Sequence, residues 1–137
     1  MFLSQKKIIL IDNEIKLIER RAFMQVIKDT ISIDELRAMA DKNFGRLVKA
    51  VVDVKKEFMT VDSEMHADQE EFLLEQGSMQ GDLWGINIHP YATGDDWIEF
   101  DSMINIRPSW GNRSRSVEDP AIQAKIMKIV TRLVKRC

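Results

Sequence analysis

Three arginines, Arg107, Arg113 and Arg115, crowd into the run NIRPSWGNRSRS, interleaved with Asn105, Asn112 and Ser114. Guanidinium forks match phosphate and carboxylate oxygens, and short carboxamides and hydroxyls add donors, so these residue types suit an anion. A helix opened by Asp119-Pro120 follows, bringing the partial positive charge and free N–H groups of its N-terminus. Two features count against a self-contained phosphate loop. The glycine spacing fits neither a P-loop nor a dinucleotide fingerprint, and Glu118 and Asp119 set negative charge at the same helix terminus. Pairing of Arg113 and Arg115 with acids of their own fold would make the loop structural instead.

The residues before the loop decide what it borders. Residues 97–107 alternate, which predicts a strand with Ile98, Phe100, Ile104 and Ile106 toward the core and Glu99, Asp101, Asn105 and Arg107 away from it. Residues 84–89 repeat the pattern, with Trp84, Ile86 and Ile88 on one face and Gly85, Asn87 and His89 on the other. A hairpin centred near Thr93 sets Asn87 opposite Glu99 and Gly85 opposite Asp101. The expected result is a polar floor on which Gly85 leaves room above the backbone. Arg107, Arg113 and Asn112 would fix an anion, Arg115 would reach over the same edge, Glu99 and Asp101 would orient donors, and Asn87 and Asn105 would complete the ligand-binding floor. An ordinary solvated sheet face carries polar residues too. The mixture of Asn, Asp and Arg, where Lys, Glu and Thr are usual, keeps the ligand-binding alternative open.

Candidates for proton transfer are weaker. His66 and Asp68 stand near the start of a helical stretch, where Asp68 reads as the helix cap with Glu71 in the box position. Glu75 falls in the last turn before Gly77, against the helix macrodipole, which marks either a functional site or a nearby cationic partner. With Asp101 these make the catalytic candidates His66, Glu75 and Asp101. No serine or cysteine sits in a nucleophile motif. Two histidines, one cysteine and no HExxH argue against zinc, the carboxylate spacing singles out no magnesium site although it leaves one open, and the cofactor is unknown.

Elements that would position these groups follow from caps and periodicity. Residues 25–29 are β-prone. Ser32 and Glu35 form a capping box, with Ile31 and Leu36 as a hydrophobic staple, for a helix that Gly45 is placed to end. Residues 47–55 alternate, with Val48, Ala50, Val52 and Val54 on one face, and residues 58–63 form the partner strand after a turn at Lys55-Lys56-Glu57. The final helix carries an apolar stripe of Ile122, Ile126, Ile129, Val130 and Leu133 and a basic side of Lys125, Lys128, Arg132 and Lys135. The order β-α-β-β-α-β-β-α predicts a single α+β domain, a mostly antiparallel sheet with helices packed on one face.

A chain of 137 residues with 45% hydrophobic residues supports one packed core, and its net charge of −2 argues against general nucleic-acid binding. The single cysteine is Cys137, and no apolar run is long enough to span a membrane, so a reducing, cytoplasmic setting is expected. Residues 19–24, Glu-Arg-Arg-Ala-Phe-Met, can be encoded by a purine-rich ribosome-binding sequence just before an ATG. Met24 is therefore the expected start, with residues 1–23 a leader extension. The alternative is an amphipathic helix over 13–23 carrying Ile15, Ile18 and Ala22. Without the leader's five basic and three acidic residues the charge is −4.

The segments VVDVKKEFMTVDSEMHADQEEFLLEQGS, DLWGINIHP and WIEFDSMINIRPSWGNRSRSVEDPAIQAKI resemble a small prokaryotic family of unknown function, over essentially the whole chain from Met24. That resemblance implies a start near Met24 and a glycine where this chain has Glu57; it implies no activity. The functional expectation is a domain that binds a small anionic or nucleotide-like ligand. The alternative is a protein-interaction module or homodimer using the same loop and Trp110.

Overall fold

The structure is a computed structural model and describes residues 24–43 and 45–136. The leader and helix expected over residues 1–23 lie outside the described residues. Met24 onward folds as an α+β unit: β1 (Gln25–Ile27), β2 (Ile31–Ser32), α1 (Ile33–Asp41), β3 (Val48–Asp53), β4 (Phe58–Val61), α2 (His66–Glu75), β5 (Leu83–Ile88), β6 (Ile98–Glu99), α3 (Pro120–Leu133) and β7 (Val134–Lys135). Five strands form one antiparallel sheet in the order β1-β4-β3-β5-β6. Two-residue strands β2 and β7 pair in parallel and tie the start of α1 to the end of α3.

Local chemistry sets most boundaries. Ser32 Oγ accepts the Glu35 N–H at 3.0 Å while the Glu35 carboxylate takes the Ser32 N–H, the expected capping box. Asp119 caps α3 on the Ala121 N–H, with Pro120 in the first turn. At the end of α2, Gly77 adopts φ +103°, and the N–H groups of Gly77 and Ser78 return to Leu74 and Leu73, a Schellman stop. Two expected caps differ. Helix α1 ends at Asp41, four residues before Gly45, because Asn43 draws the chain away through its own bonds to the Met39 and Leu47 carbonyls. Helix α2 begins at His66 with no side-chain cap, which places Asp68 inside the first turn.

The sheet is covered on both faces. Val48, Ala50, Val52, Met59, Val61, Trp84, Ile86 and Ile88 pack against α1 and α3. The opposite face was expected to be open, but Val51 and Leu83 are buried there against Leu73 of α2. Two apolar residues on the second face need cover as much as the first set does. The expected placement of all helices on one face is thereby corrected.

The strand expected over 97–107 is also shorter than its alternation suggested. Asn87 pairs with Glu99 as expected, yet β6 ends there. Single-turn 3₁₀ segments follow at Met103–Asn105 and Pro108–Trp110. From Asn105 onward the inside–outside order inverts: Asn105 and Arg107 are buried, whereas Ile106 is exposed.

Candidate functional site

Early termination of β6 leaves the edge of β5 bare at Leu83 and Gly85, and side chains complete it. The Asn105 carboxamide stands where a strand backbone would. Its Oδ1 accepts the Gly85 N–H at 2.8 Å, and its Nδ2 donates to the Gly85 carbonyl at 3.0 Å and the Arg115 carbonyl at 2.9 Å. The Arg107 guanidinium donates through Nη2 to the Leu83 carbonyl. Asn112 holds the loop closed: its Nδ2 is shared among the carbonyls of Asn105, Ser114 and Ser116, and its Oδ1 accepts the Glu118 N–H. The carboxamides of Asn105 and Asn112 are thus committed to backbone of their own fold. The room expected above Gly85 is filled as well, since a Cβ there would lie 2.5 Å from Ser102 Cβ and 3.2 Å from His66 Cδ2.

The structure divides the remaining sequence-predicted residues into two places. Asn87, Glu99, Asp101 and Arg115 assemble at the β5–β6 edge with His66 and His89. Asn87 Nδ2 donates to Glu99 Oε1 and to the Asp101 carbonyl, His89 Nε2 lies 3.0 Å from the same Glu99 oxygen, and Arg115 Nε donates to Asp101 Oδ1 at 2.6 Å. His66 is buried with Nε2 against the Ile86 carbonyl at 2.7 Å, which fixes the proton on Nε2. Burial pushes its pKa down, and Lys49 and Arg115 act in the same sense against the Ile86 carbonyl and Asp101. Glu75 closes the other end of α2, about 14 Å of helix rise away. Among the catalytic candidates only His66 and Asp101 therefore share a neighbourhood. Arg115 has the internal acid partner that marks a structural role, whereas Arg113 is exposed and contributes its backbone N–H to Glu118. Hydrogen bonds from Ser114 hold the Glu118 carboxyl below its ordinary value.

Arg107 lies elsewhere, between two indoles. Its guanidinium carbon is 4.8 Å from the Trp84 ring centre and 5.7 Å from that of Trp110. The ion-pair partner is Glu70 of α2, at 3.4 Å. Burial lowers the pKa of Arg107 and Glu70 opposes that, and a guanidinium so placed stays charged. Two of its nitrogens, Nε and Nη1, are buried with no hydrogen-bond partner among the described residues, and so is Trp84 Nε1. Beside this cluster runs a groove of about 530 Å³. Trp84, Trp110 and Ile122 give it apolar walls; Asn112, Glu118 and Asp119 form its polar side.

Trp84 and Glu70 were not singled out from the sequence. Trp84 shares the core periodicity of Ile86 and Ile88, and Glu70 sits in an acidic run, so neither carries a local sign of meeting Arg107. The only available signal was chemical: a core tryptophan needs an acceptor for its indole N–H. No group of three or more His, Cys, Asp or Glu among the described residues converges to hold a metal ion.

No curated protein and no solved structure matches this chain. A family model does match, over residues 25–133, and the chain belongs to that family, described as protein of unknown function DUF5674.

Proposed function

We propose that this domain binds a small anionic ligand in the groove beside Trp84 and Trp110, with Arg107 as the partner of the negative charge. One observation carries the proposal. A buried guanidinium with two unmatched nitrogens lies beside a buried indole N–H that is also unmatched. Buried donors without acceptors cost roughly 1–3 kcal/mol each and are uncommon in folded proteins. Three at one place favour an acceptor-rich occupant, and an oxyanion supplies the acceptors and the opposite charge together. The groove volume falls within the range of small-molecule sites. Its two carboxylates keep their charge and are occupied by their own backbone, Glu118 accepting the N–H groups of Arg113 and Ser114 and Asp119 that of Ala121.

The proposal is for binding, with no catalytic step assigned. Thermal unfolding of the wild type and of Arg107→Met with inorganic phosphate, sulfate and AMP tests it. The midpoint of the wild type rises with at least one of them and that of the variant does not; equal responses in both proteins contradict the assignment.

A second reading has its own observation. Among the described residues, four of the seven exposed large apolar side chains, Met79, Met103, Ile106 and Trp110, come from two segments, 79–81 and 103–110, that meet where Trp110 lies over Gly81. Apolar side chains gathered this way suit a partner protein or a second copy. Sedimentation velocity across a hundredfold concentration range separates the two: a dimer abolished by Trp110→Ser supports the interface, and a monomer throughout excludes the second copy.

A further inference from the structure

The proposed anion site has a difficulty that points to how it works. The unmatched atoms of Arg107 and Trp84 have no exposed surface, so a ligand cannot touch them unless something moves. Trp84 is buried and the Glu70 side chain nearly so. The Trp110 side chain is the exception, at 59% exposure while still lying over the guanidinium. We infer that Trp110 is a movable cover whose place on Arg107 is taken by a ring of the ligand, so that the site selects ring-bearing oxyanions of the nucleoside monophosphate class over bare anions. This rests on the anion-site proposal above and would fall with it.

The surroundings of Trp110 favour motion of the side chain over motion of the loop. The backbone is clasped on both sides, with Arg107 N–H donating to the Asn112 carbonyl at 2.7 Å and Asn112 N–H returning to the Arg107 carbonyl at 3.1 Å. Within that clasp the Trp110 indole lies on Gly81, where even an added Cβ would reach no closer than 3.5 Å. Gly111, next in the chain at φ +88°, has nothing within 4 Å of the Cβ position. The ring therefore rests on Gly81 and the Arg107 guanidinium, with more than half of the residue's surface open to solvent.

Selectivity follows from what the cover leaves behind. When Trp110 swings away, Arg107 loses one of its two aromatic faces. A bare oxyanion supplies acceptors to the unmatched N–H groups but nothing to that face. A ligand with a planar ring supplies both, since a ring over a guanidinium restores the cation–π contact. Closure by Trp110 lowers the apparent affinity for every ligand by the fraction of molecules that are open.

Calorimetric titration of inorganic phosphate and AMP into the wild type, Trp110→Ala, Trp110→Phe and Arg107→Met tests the cover and the site separately. The wild type should bind AMP at least tenfold more tightly than phosphate. Trp110→Ala should bind phosphate at least tenfold more tightly than the wild type does, and Trp110→Phe, which keeps a ring, should resemble the wild type. If Trp110→Ala leaves phosphate affinity unchanged while Arg107→Met abolishes binding, the cover is wrong and the anion site stands. If no protein binds either probe, or Arg107→Met binds as the wild type does, both are wrong.

Discussion

Asn105 and Arg107 stand two residues apart, both buried and both at the bare edge of β5, and they meet opposite circumstances. Every polar atom of the Asn105 side chain has a backbone partner. Arg107 matches Nη2 and leaves Nε and Nη1 without partners among the described residues. The first arrangement completes a sheet and needs nothing more. The second holds a buried charge against one carboxylate at 3.4 Å, where an apolar side chain of similar length would serve a purely structural end. The matched carboxamide is scaffold, and the unmatched donors of Arg107 are the groups that the proposed anion would satisfy.

Substitutions can break or sharpen that contrast. Asn105→Ala strands the Gly85 N–H and the Gly85 carbonyl and leaves the Arg115 carbonyl only the Ser102 N–H, and should cost about 2–5 kcal/mol in urea unfolding, since each buried group left unmatched costs roughly 1–3 kcal/mol. A loss below about 1 kcal/mol would show that the edge does not depend on the carboxamide.

The next effect is pH dependence from His66, on the scaffold side of the contrast. Its folded pKa is lowered by burial, so the unfolded chain binds the proton more readily. The contribution of the neutral ring to stability is complete above the unfolded value of about 6.5 and is lost as pH falls from there through the folded pKa, with a slope of at most about 1.4 kcal/mol per pH unit. Unfolding curves between pH 7.5 and 5 should show this slope, and His66→Gln should remove it; an unchanged slope in the variant would place its origin elsewhere.

Glu57→Gly provides a reference outside both regions. Glu57 adopts φ +63° in the β3–β4 turn, in the left-handed region that favours glycine, so the substitution should stabilise by about 1 kcal/mol. Its exposed contact with Arg132 subtracts little. No gain in the unfolding midpoint would mean that the turn tolerates Glu57 without strain.

The smallest expected effect is the most discriminating. Arg107→Met combined with Glu70→Gln should keep stability within about 1 kcal/mol of the wild type, because exchanging a buried ion pair for apolar or neutral groups is often close to neutral and losing the two unmatched nitrogens offsets the Leu83 carbonyl left without its donor. A loss as large as that of Asn105→Ala would make Arg107 scaffold as well.

Much of the scaffold was legible in the sequence because it is written locally. The Ser32–Glu35 box, the Asp119-Pro120 start, the Gly77 stop and the alternation of residues 84–88 each depend on neighbours within a few residues. The segment 100–116 was not legible in the same way. Its alternation resembles a strand, but Ser102 sits on Gly85 and Asn105 replaces backbone pairing with side-chain pairing, contacts across roughly twenty residues that no period reports. The same distance hid the site: Arg107 was recognised as a residue suited to anions, yet its partners Trp84 and Glu70 lie 23 and 37 positions away. Of the expected polar floor, Asn87, Glu99, Asp101 and Arg115 do meet, while Asn105 and Asn112 have turned inward to hold the edge together.

Both kinds of N–H group at the proposed anion site are observable. In a titration with AMP followed by ¹H–¹⁵N NMR, the indole N–H of Trp84 and the Nε–H of Arg107 should shift together and saturate, with Trp97 unaffected. A saturating titration that moves neither signal, or the absence of any shift at millimolar AMP and phosphate, would contradict the assignment of Arg107 and Trp84 as the anion-binding groups.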